Sequence, residues 1–273
     1  MNRREALGRF MSVALSALFV RDERGDVPVE HGPFRKTDLV ELVELDPTIR
    51  LDVRYATSDN FLKVRMYDEA RAFLQRPAAE ALVRVNQALR SQGYGLLVYD
   101  AYRPWSVTRF MWEHARSEWR EGGYLANPAQ GSQHNRGCAV DLTMYNLSSG
   151  EPVEMPTDFD DFRATAHADA VDITPAARCN RELLVAAMRP HGFNVLREEW
   201  WHFDFQSYRE YPILDVGFAS LCSDSPQPQL SLLNPSGVLE VAAHLVEHEV
   251  VTAVAGLVKQ PTRGTSRRDH DVS

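Results

Sequence analysis

Three polar side chains in two separated stretches of the chain have the chemistry to hold a metal ion. His134 and Asp141 lie seven residues apart in GSQHNRGCAVDLTMYN, and His202 follows later in EWWHF. Catalytic zinc sites commonly take three ligands of the histidine and carboxylate type and keep one position for water. The same residues are also explained without a metal, by a capped loop before an ordinary strand and by a histidine that is hydrogen-bonded within an aromatic core. The spacing alone leaves both interpretations open.

Two further side chains have the chemistry of a hydrolytic centre. Glu199 lies three residues before His202 and suits a general base, although an ideal strand points the two to opposite faces. We therefore expect Glu199 at the entrance of a strand or on a β-bulge, a surface glutamate being the alternative. Arg103 follows the apolar stretch GLLVYDAY, where an arginine either stabilises an oxyanion or forms a salt bridge, here with Asp100. Both can hold if Asp100 orients the guanidinium.

The segments that carry these residues predict short strands and helices that alternate irregularly. Alternating or apolar runs predict strands over residues 39–46, 49–57, 95–102 and 196–205, and another around Asp141. Apolar residues at helical spacing predict helices over 68–92, 105–119 and 180–192. In the strand around Asp141, the flanking Val140 and Leu142 point to the opposite face and should anchor the strand in the core. With no repeat in the sequence, an α+β fold is favoured over a doubly wound parallel sheet.

The composition excludes several classes of protein. Of the 273 residues, 44% are hydrophobic and 25% charged, as in a soluble globular protein. The net charge of −8 makes nucleic acid an unsuitable partner. Three cysteines, Cys138, Cys179 and Cys222, are too few for a disulfide framework or a cysteine-rich zinc site.

The chain divides into three predicted parts. Residues 1–36 form a possible leader and linker, in which Arg3 and Arg4 precede an uncharged run over 10–20 that is too short to span a bilayer. The arginine pair suggests twin-arginine export and a periplasmic or otherwise exported protein, with a cytoplasmic one as the alternative. Residues 37–218 form the main domain, and 219–273 form a linker, an accessory helix and a disordered tail. Glutamates in that helix argue against a membrane span.

Four motifs occur in an order that resembles the D-alanyl-D-alanine dipeptidases of the VanX type, in the zinc D-Ala-D-Ala peptidase family. They are RYATSDNF (54–61), VYDAYRP (98–104), SQHNRGCAVDLT (132–143) and EWWHF (199–203). The similarity covers about residues 37–218. It implies an α+β fold with a central antiparallel sheet and flanking helices, shared with D,D-carboxypeptidases and relatives of the Hedgehog signalling domain.

The resemblance also implies a role for the residues singled out above. His134, Asp141 and His202 match the ligands of one zinc ion per chain. Glu199 matches the catalytic acid and base, and Arg103 matches the residue that stabilises the developing oxyanion.

Substrate contacts follow from the same resemblance. Ser132 and Tyr67 fall near positions that bind the substrate carboxylate, although the spacing before Tyr67 departs from the family pattern. Asp160 falls where an acid receives the free ammonium of the dipeptide, with Asp161 as its adjacent rival. Tyr55 matches a further pocket position.

The implied activity is zinc-dependent hydrolysis of the D-alanyl-D-alanine dipeptide by a metal-activated water, in cell-wall precursor or fragment metabolism. A small dipeptide is then the partner, and neither nucleic acid nor a stable membrane span is expected. One alternative is a D,D-carboxypeptidase acting on peptidoglycan stem peptides. Another is a non-catalytic zinc-binding module, against which the presence of Glu199 and Arg103 argues.

Overall fold

A five-stranded sheet lies at the centre of the computed structural model, which describes residues 26–221. In chain order the strands are β1 (Leu39–Glu41), β2 (Arg50–Leu51), β3 (Phe73–Gln75), β4 (Tyr94–Asp100), β5 (Ala139–Asn146), β6 (Phe193–Leu196) and β7 (Glu199–Phe205). The central sheet has the spatial order β2-β4-β5-β7-β6, and β1 pairs with β3 in a separate two-stranded sheet. Only β2 and β4 pair in parallel among these strands, so the sheet is mixed and mostly antiparallel.

Two long helices cover one face of this sheet. The helices in chain order are α1 (Leu42–Leu45), α2 (Arg76–Arg90), α3 (Trp105–His114), α4 (Ser117–Glu121), α5 (Pro175–Met188) and α6 (Phe218–Leu221). Both α2 and α5 begin with a proline in the first turn, where the missing N–H costs no helical hydrogen bond. Their apolar faces pack in one buried cluster with alternate residues of β4, β5 and β7.

The alternation along β5 separates the core from the polar site. Val140, Leu142 and Met144 belong to the cluster under the helices, which confirms the predicted anchoring of this strand. Side chains at intervening positions, among them Asp141, point to the other face, because successive residues of a strand alternate. Cys138 lies fully buried in the same core, where burial raises the pKa of its thiol to about 12. It therefore packs as a small neutral side chain.

The α+β class is confirmed, and the predicted strand over 95–102 corresponds to β4. Three other predictions were wrong in extent. The 39–46 segment is β1 followed by the single turn α1, since Leu42 is buried and Asp46 closes the turn by donating its N–H to Leu42. Only Arg50 and Leu51 of the 49–57 segment form a strand. The 68–92 segment is β3 and then α2.

Two more predicted elements are broken by local geometry. The helix over 105–119 stops at His114 because Ala115 adopts an extended conformation, and α4 restarts at Ser117. The strand over 196–205 is the end of β6, a tight connection and then β7, which form a hairpin. The 180–192 helix begins earlier, at Pro175, and ends at Met188.

The predicted leader up to residue 25 and the tail beyond residue 221, with its accessory helix, lie outside the described residues. Within residues 26–221, no helix combines the length and the apolar character that a membrane crossing requires. Residues 26–38 have no regular secondary structure and are tied to the domain, for example through Arg35, whose N–H donates to the carbonyl of Glu210.

Candidate active site

Three donor atoms predicted from the sequence converge at one buried place. Asp141 on β5 pairs directly with His202 on β7, so the sheet register sets both side chains side by side. His134 lies in a 3-10 turn, His134–Arg136, just before β5. Its Nε2 is 3.1 Å from His202 Nδ1 and 3.3 Å from Asp141 Oδ1. His202 Nδ1 and Asp141 Oδ1 are 3.0 Å apart, and all three residues are buried.

These separations fit one small divalent metal ion. Bonds of about 2.0–2.1 Å from a tetrahedral metal to nitrogen and carboxylate ligands place the ligand atoms about 3.3 Å from one another. Two imidazoles and one carboxylate at that separation form a suitable three-ligand set, and a fourth position stays open for water or substrate. The structure therefore contains one candidate metal site within residues 26–221.

Outer hydrogen bonds orient both histidine rings toward this site. The Nδ1 of His134 is 2.6 Å from the carbonyl oxygen of Ala101, and the Nε2 of His202 is 2.9 Å from Oδ1 of Asp204. Because both acceptors face the outer ring nitrogens, the inner nitrogens are free to bind a metal. Asp204 escaped the sequence prediction, although its place two residues after His202 puts it on the same strand face.

Glu199 lies at the entrance of β7, as predicted. The β6–β7 ladder shifts register between Val195 and Leu196, and this irregularity brings Glu199 Oε2 to 3.8 Å from His202 Nδ1. Burial raises the pKa of Glu199 to about 7, with Asp141 adding to the effect and His202 and Arg103 opposing it. A carboxyl group with a pKa near neutrality suits a proton donor and acceptor.

Arg103 faces the same space from the end of β4. Its Nε and Nη2 donate to Oδ2 of Asp100 at 2.9 and 2.7 Å, so the predicted salt bridge is confirmed, and it is buried. Burial opposes the charge, but Asp100 outweighs it and holds the pKa of Arg103 well above its usual range. Tyr67 donates its hydroxyl to Asp100 Oδ1 at 2.7 Å. The structure thus places Tyr67 behind the arginine instead of in the cavity.

A cavity of about 170 Å³ lies between these groups. It is bordered by Arg103, Glu199 and the three donor residues, and also by Tyr55, Phe61, Tyr124, Ser132, Asp160, Phe162 and Trp201. Ser132 and Tyr55 therefore border the same cavity as the donor triad. The aromatic wall from Phe61, Tyr124 and Phe162 was not predicted, since nothing in local spacing relates three such distant residues.

Asp160 and Asp161 have different surroundings. Tyr55 donates its hydroxyl to Asp160 Oδ1 at 3.1 Å, while the buried Oδ2 has no hydrogen-bond partner within the described part of the chain. Burial, together with the charges of Asp141 and Glu199, raises the pKa of Asp160 well above its usual range. Asp161 instead pairs with the exposed Arg163. Of the two acids, Asp160 is the one that faces the cavity.

Asn135, which the sequence analysis also missed, connects several parts of the site. It is fully buried, and its Nδ2 donates to the carbonyl of Arg103 at 2.9 Å and to Thr108 Oγ1 at 2.8 Å. Its Oδ1 accepts from the N–H of Ser132 at 2.8 Å. The loop that carries His134 and Ser132 is therefore fixed to the strand end that carries Arg103.

A buried triad of two histidines and one carboxylate, beside a carboxyl group of near-neutral pKa and a buried arginine, defines a metal-dependent hydrolase. Comparison with other sequences shows which family of hydrolases this is. The chain belongs to the peptidase family described as D-ala-D-ala dipeptidase, whose sequence pattern matches residues 35–216. The resemblance drawn from the four motifs is confirmed.

Two related proteins carry the same description. The D-alanyl-D-alanine dipeptidase of Escherichia coli (strain K12) is 33% identical over 191 residues, which cover 70% of this chain and 96% of that protein. The D-alanyl-D-alanine dipeptidase of Streptomyces coelicolor is 33% identical over 201 residues, 64% of this chain and 98% of that protein. Among solved structures, the LdcB LD-carboxypeptidase superposes with a TM-score of 0.39 at 17% identity, covering 64% of this chain and 71% of that one.

Proposed function

We propose that this protein is a zinc-dependent D-alanyl-D-alanine dipeptidase that hydrolyses the free dipeptide. The observation that carries the proposal is the buried His134, Asp141 and His202 triad, which meets Glu199 and Arg103 across one small cavity. Family membership supports the substrate class, and the geometry of the cavity supports the role proposed for each of these residues.

Zinc suits this donor set. Histidine nitrogens and a carboxylate oxygen with an open fourth position are characteristic of catalytic zinc. When bound, the ion supplies an activated water at neutral pH and polarises the scissile carbonyl. Asp204 would strengthen the site through His202, because a carboxylate behind a ligating histidine raises the basicity of the ring.

Glu199 and Arg103 carry the remaining chemistry. A carboxylate at Glu199 takes the proton of the attacking water on Oε2 and passes it to the leaving amine of the departing residue. The guanidinium of Arg103 is fixed by its two bonds to Asp100, so it can meet the oxyanion without reorganising. Tyr67 supports this by holding the second oxygen of Asp100.

The cavity supports a dipeptide as substrate. Its volume of about 170 Å³ lies below the roughly 300–1,000 Å³ of pockets that hold drug-sized ligands. Asp160 Oδ2 offers an acceptor for a free ammonium, and Ser132, which borders the same cavity, offers a contact for the carboxylate end. An acid at the amino end favours a free dipeptide over an acylated stem peptide.

A release assay on full-length protein tests the proposal. Wild-type protein should release D-alanine from D-Ala-D-Ala, lose this activity with a chelator such as 1,10-phenanthroline, and regain it with zinc. Glu199→Gln should keep its zinc but lose turnover at least about 100-fold, because general acid–base catalysis is typically worth that much. Glu198→Gln is the matched control, since the adjacent Glu198 only pairs with Arg197 at the surface.

The outcomes separate the alternatives. Undiminished hydrolysis by Glu199→Gln would contradict the assigned role. Faster cleavage of N-acetyl-D-Ala-D-Ala than of the free dipeptide would favour the carboxypeptidase. If zinc binds tightly and neither substrate is cleaved, the protein is a non-catalytic zinc module.

A further inference from the structure

Glu30, in the irregular segment before the domain, contacts the loop that carries His134. Arg136 Nη1 lies 3.2 Å from Glu30 Oε2, and Arg136 Nη2 also contacts Oε1, so the pair is bidentate. Only 24% of the Glu30 side chain and 13% of the Arg136 side chain is exposed. A bidentate pair shielded in this way is held in a more defined geometry than a single-contact surface pair.

Arg136 belongs to the turn that holds a metal ligand. It is the last residue of the His134–Arg136 turn and follows the metal ligand His134 by two positions. Its guanidinium also donates to the carbonyl of Tyr211, and its own carbonyl accepts from Gln75 Nε2 at 2.9 Å. Hydrogen bonds of Arg136 thus fix the end of the turn, and Glu30 supplies the negative charge that pairs with the Arg136 guanidinium.

The carboxylate of Glu30 also binds a second residue that packs against this loop, Ile213. Glu30 Oε2 accepts from the N–H of Ile213 at 2.8 Å. A Cβ at Gly131, where φ is +67°, would lie 2.4 Å from Ile213 Cδ1, so the isoleucine packs closely on the start of the loop. The N–H of Leu214 donates to the carbonyl of Asn135 at 3.0 Å. Glu30 therefore contacts both groups that hold the loop of residues 131–137, namely the guanidinium of Arg136 and the backbone of Ile213.

His134 needs such support more than the other two donors do. Asp141 and His202 sit opposite each other in the sheet, where the ladder between β5 and β7 fixes their backbones. His134 lies outside any strand, so the position of Nε2 depends on the contacts of its loop together with the hydrogen bond between Nδ1 and the carbonyl of Ala101. A small displacement of the loop would change one donor and leave the other two in place.

We propose that Glu30 is a positioning residue for the metal site, acting on His134 through Arg136 and Ile213. This inference rests on the metal site of the proposed function. It assigns the segment before the domain a part in building the site, whereas its composition predicts only a linker.

Metal affinity of full-length protein tests this role. Glu30→Ala should weaken zinc binding about 5–10-fold in competition with a chromophoric chelator, less than the roughly 10–100-fold loss on removing a direct partner of a metal ligand, because Glu30 acts through Arg136 and Ile213. The visible spectrum of the cobalt-substituted protein should shift as well, because one nitrogen donor moves. Glu30→Gln should weaken binding less, since the amide oxygen still accepts from Ile213.

Asp38→Asn is the matched control. Asp38 lies in the same segment, and its carboxylate pairs with the exposed Arg76 instead of with a residue of the 131–137 loop, so zinc affinity should change less than about twofold. Equal weakening by Asp38→Asn and Glu30→Ala, or wild-type affinity in both Glu30 variants, would overturn the inference. If wild-type protein binds zinc but does not cleave the dipeptide, the proposed function fails while this affinity comparison still decides the role of Glu30.

Discussion

Asp160 has a buried oxygen without a hydrogen-bond partner in residues 26–221, and its backbone lies at φ +60°. A left-handed conformation of a non-glycine residue costs about 1–2 kcal/mol, and such costs concentrate at binding sites. The carboxylate also stands near Asp141 and Glu199, so its charge is disfavoured in the free protein. A substrate ammonium at Oδ2 would satisfy the oxygen and offset the negative charge.

Replacing this acid by its amide should separate substrate recognition from stability. We expect Asp160→Asn to lower kcat/KM for D-Ala-D-Ala about 10–100-fold, because a hydrogen bond between charged groups is worth about 1.5–3 kcal/mol. Cleavage of N-acetyl-D-Ala-D-Ala should change little. Thermal stability should not fall, since the variant removes a buried carboxyl group whose ionisation the folded protein disfavours.

Asp161→Asn serves as control for this prediction. Asp161 pairs with exposed Arg163, so the variant should keep the wild-type preference for the free amino end. If Asp161→Asn loses that preference and Asp160→Asn retains it, the assignment of the two acids is reversed.

At the scale of elements, the site joins two strands and one loop. Gly137 ends the His134–Arg136 turn at φ +66°, in the left-handed region that glycine adopts without strain. A Cβ there would lie 2.4 Å from Leu39 Cδ2 and 3.3 Å from the backbone nitrogen of Gln75. That nitrogen also donates to the carbonyl of Gly137 at 2.8 Å, so the glycine sits in direct contact with β3.

Gly137→Ala should therefore affect both the fold and the metal. We expect the free energy of unfolding of the metal-free protein to fall by at least about 1–2 kcal/mol, measured with urea, from the left-handed backbone alone. Zinc affinity should fall about tenfold or more, because the displaced turn carries His134. Gly93→Ala is the control, since Gly93 has φ +89° and a Cβ there would have no heavy atom within 4 Å beyond its chain neighbours. It should lose stability and keep zinc affinity; equal affinity of the two variants would contradict the prediction.

The sequence predicted elements best where one pattern was local and complete. The alternation around Asp141 identified β5, and the need for Glu199 and His202 to meet indicated the irregularity at the β7 entrance. The breaks within predicted helices and strands could not be predicted from such local patterns. The helical pattern of residue types continues past Ala115, but its extended backbone ends the helix, and no residue type at this point predicts the break. The role of Asn135 depends on contacts with Arg103 and Thr108, which are distant in sequence.

At the scale of the whole molecule, the donor groups come from positions 134, 141 and 202, so the site exists only when the sheet is assembled. Strand order is set by long-range pairing, such as β4 with β5 and β5 with β7, and no local pattern encodes it. The family resemblance nevertheless supplied the ligand set. The contribution of Glu30 could not be foreseen, because its partners Arg136 and Ile213 lie more than one hundred positions away.

A site assembled from distant segments couples metal binding to folding. A ligand that binds only the folded chain stabilises it by about 4 kcal/mol when its free concentration is 1,000 times its dissociation constant. For a domain of this size each kcal/mol shifts the melting temperature by about 2–4 °C. We therefore expect saturating zinc to raise the melting temperature by about 10 °C over chelator-treated protein in differential scanning calorimetry. His134→Ala should lose most of this shift, while Asp161→Asn keeps it. Identical melting temperatures of wild-type protein with zinc and with chelator would show that the triad does not bind zinc in the folded state.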